Sequence, residues 1–318
     1  MRGRLKISEA NLKFNKTILT VTFLVLALIF VPLVLPTFFI IAMTLIFFYI
    51  ICAEAWSFMA AHAGMISLGQ QVFIGLGSYS VVIFNMLIGW PLWVSILLAI
   101  NISSAIAAAL SIPLLRLKGI YFAIGTWLTS EIFRLSFNNW GYVNAATGLL
   151  YRPAYEIPVL HVYYSALILC LATIYIFFTV YRSRIGLGLR AIASNEMAAC
   201  IIGVKPLTLK MFIFVISACI TASAGALYVH FHPYISPASC FALSWTVNLM
   251  FISVIGGYNR IFGPVIGSLF FVALDYILAE YPGLTLILEG IICILILKFL
   301  GYGLWTTLAE KLKIKPPL

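Results

Sequence analysis

Between Glu54 and Arg116 the chain runs without a single Asp, Glu, Lys or Arg, and between Lys210 and Arg260 it does so again. A helix needs about 20 apolar residues to cross the hydrocarbon core of a bilayer. Each charge-free run is long enough for more than one crossing, so the chain reads as an all-α integral membrane protein, a polytopic bundle of transmembrane helices. A membrane β-barrel would instead show short segments of alternating apolar and polar residues, and these are absent. Only 9% of the 318 residues are charged and 64% are hydrophobic, against about a quarter charged in a soluble domain.

Apolar runs bounded by charges, Pro or Gly predict ten spans, at 17–35, 38–60, 71–88, 91–115, 119–137, 161–181, 207–229, 241–258, 262–280 and 283–301. Eight spans would preserve the same ends. The net charge of +10 would suggest nucleic acid in a soluble protein, but here it sorts by position. With a cytoplasmic N-terminus, the inner segments are the basic stretch 1–16, the turns near 61–70 and 116–118, the loop 182–206, the turn at Arg260 and the tail 302–318. With each Lys and Arg counted at its nearest span end, only Arg134 and Arg152 of the 19 fall on the outer side. Positive residues accumulate on the cytoplasmic side, so both termini are expected there, with the membrane domain over 17–301 and no nucleic-acid partner. The basic N-terminus leads into an apolar run followed by Pro32 and Pro36 without a small-residue cleavage site, which predicts a retained first span. Six scattered cysteines with no C-x-x-C pair give neither a disulfide framework nor a metal site. No G-x-x-x-x-G-K-[ST] loop occurs, so the chain is not expected to hydrolyse ATP by that route.

Two segments between spans have appreciable length: 138–160, expected outside, and 182–206, expected inside. The inner one reads as a short amphipathic helix with Arg190, Ser194 and Asn195 on a polar side and Ile192, Ala199, Ile202 and Val204 near an apolar one, ended by Gly203 and Pro206. Such a helix either lies on the membrane surface or docks a cytoplasmic partner, and the residues alone leave both open.

The stretch AGMISLGQQVFIGLGSYS at 63–80 places glycines and amides inside an apolar region. Small residues let helices approach closely in a membrane. Alternatively, a broken helix exposes backbone groups that line a polar path, here with Ser67, Gly69, Gln70, Gln71 and Gly75. The spacing of Gly69 and Gly75 recurs at Gly257 and Gly263, and paired glycine-interrupted segments in two halves of a transporter point to its solute site. Glu54, an acid inside a span, is expected to face the bundle interior or the path; Glu289 presents the same choice. Glu131 and Arg134 stand three apart, the spacing of a local helix pair. His230 and His232 lack a carboxylate partner and read as an interfacial cap, not metal ligands.

Several segments, in order, carry a resemblance. GLGLRAIASNEMAACIIGV (186–204) resembles the coupling loop of the permeases that work with branched-chain amino acid binding proteins in ATP-driven importers. Ala198, Ala199 and Gly203 fit its E-A-A-x-x-x-G pattern, with Glu196 one residue early. LKGIYFAIGTWLTSEIFR (117–134), ALYVHFHPYISPASC (226–240) and ISVIGGYNRIFGPVIGSLF (252–270) are similar to further stretches of that family, as is 63–80. The resemblance departs at Glu54, Ser57 and Gln70, where the family usually has a hydrophobic residue, Asn and His, and VNAATGL (143–149) keeps only part of an outer-loop pattern.

The resemblance implies a permease subunit of the bacterial plasma (inner) membrane, itself not an enzyme, that moves branched-chain amino acids or a related small solute by alternating access. It implies a second permease subunit, identical or related, two cytoplasmic ABC ATPase subunits and an extracytoplasmic solute-binding protein. This chain would bind no cofactor, ATP and Mg being held by the ATPases. Arg190, Asn195, Glu196, Ala198, Ala199 and Gly203 would couple to those ATPases, and Ser67, Gly69, Gln70, Gly75, Glu54, Gly257 and Gly263 would lie along the solute path. An ion-gradient-driven secondary transporter is the alternative. A membrane-embedded enzyme has no candidate catalytic set.

Overall fold

The computed structural model describes residues 25–257, 260, 262–278, 287–288, 290–295, 298 and 303–305. The basic N-terminus, the start of the span expected at 17–35, much of the span expected at 283–301 including Glu289, and the tail apart from 303–305 lie outside them. Twelve helices follow one another among the described residues: α1 (Val25–Val34), α2 (Thr37–Ala63), α3 (Gln71–Val81, running on as a π-helix to Leu87), α4 (Leu92–Leu114), α5 (Ile120–Asn138), α6 (Val159–Arg182), α7 (Arg184–Ser194), α8 (Glu196–Ile201), α9 (Pro206–Phe231), α10 (Pro237–Cys240), α11 (Leu243–Gly256) and α12 (Gly263–Leu278).

Five stretches are long and apolar enough to cross a membrane: α2, α4, α6, α9 and the run Pro237–Gly256 that joins α10 to α11. The apolar helices Val25–Val34, Gln71–Leu87 and Gly263–Leu278 are shorter. Among the described residues helices stand where spans are expected, although α5 is in neither group, and the helix ends show why they start and stop there. Proline stands at the N-cap of α2, α4 and α6 and at the first position of α9, where its missing N–H costs no helical hydrogen bond. Gly64 closes α2 in the left-handed conformation, its amide bonding to Met59, the usual glycine C-cap.

The bundle centres on α2, α3 and α9, whose middles are buried almost all round. Around them α4 buries a single row of small residues, Ser95, Ala99, Ser103, Ala107 and Ser111, at a four-residue step that lets backbones approach. Its other faces are apolar and turned outward, as with Trp93, Leu97 and Ile112; in a lipid environment those faces meet acyl chains.

The two ends of the bundle differ. At one, the strands β1 (Leu149–Leu150) and β2 (Tyr234–Ile235) pair antiparallel and join the loop after α5 to the loop after α9. Tyr151 ties in both ways, its amide donating to Pro233 O at 2.7 Å and its hydroxyl to Asn85 Oδ1 at 2.7 Å. At the other end, two cavities bring together the segments predicted to share a side. One is lined by Ala61, His62, Tyr181, Arg190 and Arg260 among others, and the second by Gly64, Leu117, Lys118, Glu196 and Lys210. Arg134 near the end of α5 and Arg152 in the loop after it stand toward the strand end, apart from the described basic residues that line these two cavities.

Candidate functional site

Residues 64–70 form a non-helical link between α2 and α3. A break at this depth needs internal partners for its backbone, and neighbouring helices supply them. Trp56 Nε1 donates to Ser67 O at 2.8 Å, Leu68 N donates to Thr126 Oγ1 at 3.0 Å, and Gly69 N donates to Ser67 Oγ at 3.2 Å. The Gln70 amide donates to Ser217 Oγ at 2.9 Å and to Thr221 Oγ1 at 2.6 Å, while its Oε1 is buried without a partner. Gln71 donates to Leu68 O at 3.1 Å and accepts from Thr246 Oγ1 on α11. Gln70 and Gln71 are wholly buried and Ser67 nearly so. The link is thus a polar knot joining α2, α3, α5, α9 and α11.

The glycines of this region sit at close crossings. A Cβ on Gly69 would collide with the Thr126 carbonyl, one on Gly75 with the Phe241 ring, and one on Gly77 with the Ala222 carbonyl. In return, Gly225 on α9 lies against the Ile74 carbonyl, and Ser78 Oγ donates to Gly225 O at 2.8 Å. The later pair is built similarly. Gly257 ends α11 at φ 103°, and Gly263, the first residue of α12, lies on the Gly257 carbonyl. The two sets communicate through α11, whose Thr246 reaches Gln71 and whose Ser253 Oγ donates to Ala53 O at 3.4 Å.

Glu54 lies one residue from that contact, near the middle of α2, 2% exposed and with Oε2 lacking a partner. Its neighbours Ala53 and Ala55 are gripped through their carbonyls by Ser253 and Ser217. The cavity beside Ser67, Gly69 and Thr126 measures about 10 Å³, at the limit for a single water, so this conformation is closed at the knot. Glu131 and Arg134 form the expected ion pair on α5.

The inner loop departs from a single helix. Asn195 takes an extended conformation, ends α7 and starts α8, its side chain accepting from Ala198 N at 3.0 Å. Asn is a favoured N-cap because its oxygen serves an otherwise orphaned amide. Ser183 caps α7 in the same way, accepting from Ile185 N and Gly186 N. Arg190 turns inward: its guanidinium stacks 4.3 Å above the Tyr181 ring and Nη1 donates to Tyr181 O at 3.0 Å, tying α7 to the end of α6. Glu196 pairs with Lys210 of α9 at 2.9 Å. Ala199 is buried beneath α8, Gly203 turns the chain at φ 87°, and Met197, Ile201 and Ile202 are 74–86% exposed. Ile202, expected near one apolar side with Ile192 and Ala199, is exposed, because the helix breaks at Asn195 and a single face does not continue across it.

Lys210, Thr126, Ser217 and Thr221 were not singled out from the sequence. The last two had a signal: Ser217, Thr221 and Gly225 recur every fourth residue, one face of a helix.

An apolar bundle bound at its centre by buried amides and hydroxyls, with capped short helices projecting at its basic end, defines a multi-pass α-helical membrane protein. Residues 37–297 match the family described as the permease component of the branched-chain amino acid transport system, and the chain belongs to that family, whose members fit a multi-pass place in the plasma membrane. It is 24% identical to the high-affinity branched-chain amino acid transport system permease protein LivM of Salmonella typhimurium, over 86% of this chain and 71% of that protein, and equally so to LivM of Escherichia coli. No solved structure matches it significantly.

Proposed function

We propose that the chain is the membrane-spanning permease subunit of an ATP-driven importer of branched-chain amino acids or a closely related small solute. In this reading ten spans cross the membrane with both termini in the cytoplasm, and the end carrying α7 and α8 faces the cytoplasm. Two ATPase subunits, holding ATP and Mg, dock there, and a soluble binding protein delivers solute to the strand end. A second permease subunit, identical or related, completes the path. The observation that carries the proposal is α8. This short helix turns Met197, Ile201 and Ile202 outward while Asn195 and the Glu196–Lys210 pair fix it to the bundle. An exposed apolar patch on a firmly seated helix suits a protein partner.

Coupling then has a physical route. Movement of α8 is passed by Glu196 to Lys210 near the start of α9, and α9 carries Ser217 and Thr221, which hold Gln70. Arg190 keeps α7 seated on α6 so that α8 moves as a lever. Because the knot is closed in this conformation, opening requires α9 to shift against α3, or the solute to pass between this subunit and its partner. Solute selectivity is shared with the binding protein. The test is co-purification of the ATPase with a tagged chain. Met197→Asp with Ile201→Asp is expected to lose the ATPase while insertion in the membrane is unchanged; full retention of ATPase and uptake would reject α8 as the docking element.

A further inference from the structure

The cavity between the ends of α2, α6 and α7 is independent of the knot and of the outer face of α8. It measures about 380 Å³ and is lined by Ala61, His62, Tyr181, Arg190, Ala193, Ser194 and Arg260. Among the described residues no acidic one lines it, and neither Arg190 nor Arg260 makes an ion pair. Two arginines thus line one space without a counter-charge among its described lining residues, and an anion bound there would offset their like charge.

Three features make this a prepared site. Arg190 is held by its stack on Tyr181 and one hydrogen bond to Tyr181 O, which leaves most of its five donors available in a fixed orientation. His62, 5% exposed, is stacked on Phe58 at 4.4 Å and set against the Tyr181 ring edge, which fixes its ring at the cavity wall. The Ser194 hydroxyl lines the rim. Planar, multi-donor arginines suit phosphate oxygens, and basic pockets among helices at a cytoplasmic membrane surface suit anionic headgroups.

We propose that this cavity binds a phosphate-class anion, with Arg190 and Arg260 as its ligands. The phosphate comes either from the headgroup of an anionic lipid or from a free phosphate species. Bound there, it bridges α7 to the turn before α12 and steadies the base of α8.

The test uses the full chain in mild detergent, with thermal unfolding and native mass spectrometry as readouts. Phosphatidylglycerol, phosphatidylcholine and inorganic phosphate are added separately. A saturable rise in midpoint with phosphatidylglycerol, a retained lipid in the mass spectrum and no response to phosphatidylcholine assign a headgroup. A saturable rise with inorganic phosphate alone assigns a free phosphate. In either case Arg260→Gln, at a turn where it disturbs no helix, weakens binding about tenfold or more, the scale of a lost charge-assisted contact. Arg190→Lys, which keeps the charge but not the fork, weakens it less than Arg190→Gln. Lys118→Gln, which removes a charge at the same end outside the cavity, leaves it unchanged. The absence of any saturable anion response, or equal loss in Lys118→Gln and Arg260→Gln, overturns the site in favour of diffuse surface charge.

Discussion

At Gly75 the ring of Phe241 occupies the space a side chain would need, so this position reports on packing in a way that can be measured. Gly75→Val is expected to destabilise the protein by about 1–3 kcal/mol, the usual scale of overpacking. Adding Phe241→Ala makes room, so the double variant should have a higher unfolding midpoint than the two single effects summed predict, the non-additivity of residues in contact. Simple additivity would show that Gly75 matters for another reason. Gln70 makes a different prediction. Gln70→Leu removes both donors to Ser217 and Thr221 and should cost about 1–3 kcal/mol, seen as a lower midpoint in detergent; Gln70→Glu, which keeps the shape but lacks the amide donors, should not restore it. Glycine as a packing residue and glycine as part of a broken, polar segment were alternatives in the sequence. Both features occur at the same place: the glycines pack, and the break between them is polar because the packed helices supply its partners.

Among the elements, the apolar helices were legible because hydropathy is a local property: α2, α4 and α6 begin just after Pro36, Pro91 and Pro158, and α9 begins at Pro206, within a few residues of where charge and proline placed their spans. The division of the inner loop was not read, although Ser-Asn-Glu at 194–196 carries an N-cap signal, because the amphipathic pattern continued across it. The pairing of Leu149–Leu150 with Tyr234–Ile235 left no trace, since it joins segments far apart in the chain with no alternation of their own. The partner of Glu196 was also invisible: Lys210 comes near it only because the chain turns at Gly203. That pair yields a prediction at this scale. Lys210 is largely sheltered in this pair while Glu196 is partly exposed, and near-surface pairs contribute about 1 kcal/mol to stability, so Glu196→Lys should lower the unfolding midpoint only modestly. If the pair links α8 to α9, Glu196→Lys or Lys210→Glu should lower transport per ATP hydrolysed, and the exchanged double variant should regain it. Equal transport in all three would remove the ion pair from the coupling route.

For the whole molecule, the distribution of charge was the most telling part of the sequence, because the membrane acts on sidedness while internal contacts act on detail. Segments around 61–70, 116–118, 182–206 and Arg260 meet at one end of the bundle. Cys200 on α8 is exposed, whereas Cys52, Cys170 and Cys240 are buried. A membrane-impermeant maleimide should therefore label Cys200 in inside-out vesicles and not in right-side-out ones, with loss of labelling in Cys200→Ser as the check. Labelling only from the outer side would invert the topology and put α8 out of reach of any ATPase. The account as a whole is tested most directly by reconstitution. The chain, with the proposed partner permease, ATPases and binding protein, is placed in sealed vesicles and the uptake of labelled leucine is followed with and without ATP on the side that α8 faces. Uptake that requires hydrolysable ATP and persists when ion gradients are collapsed is the predicted result; uptake without ATP that disappears when the ion gradient is collapsed would contradict it.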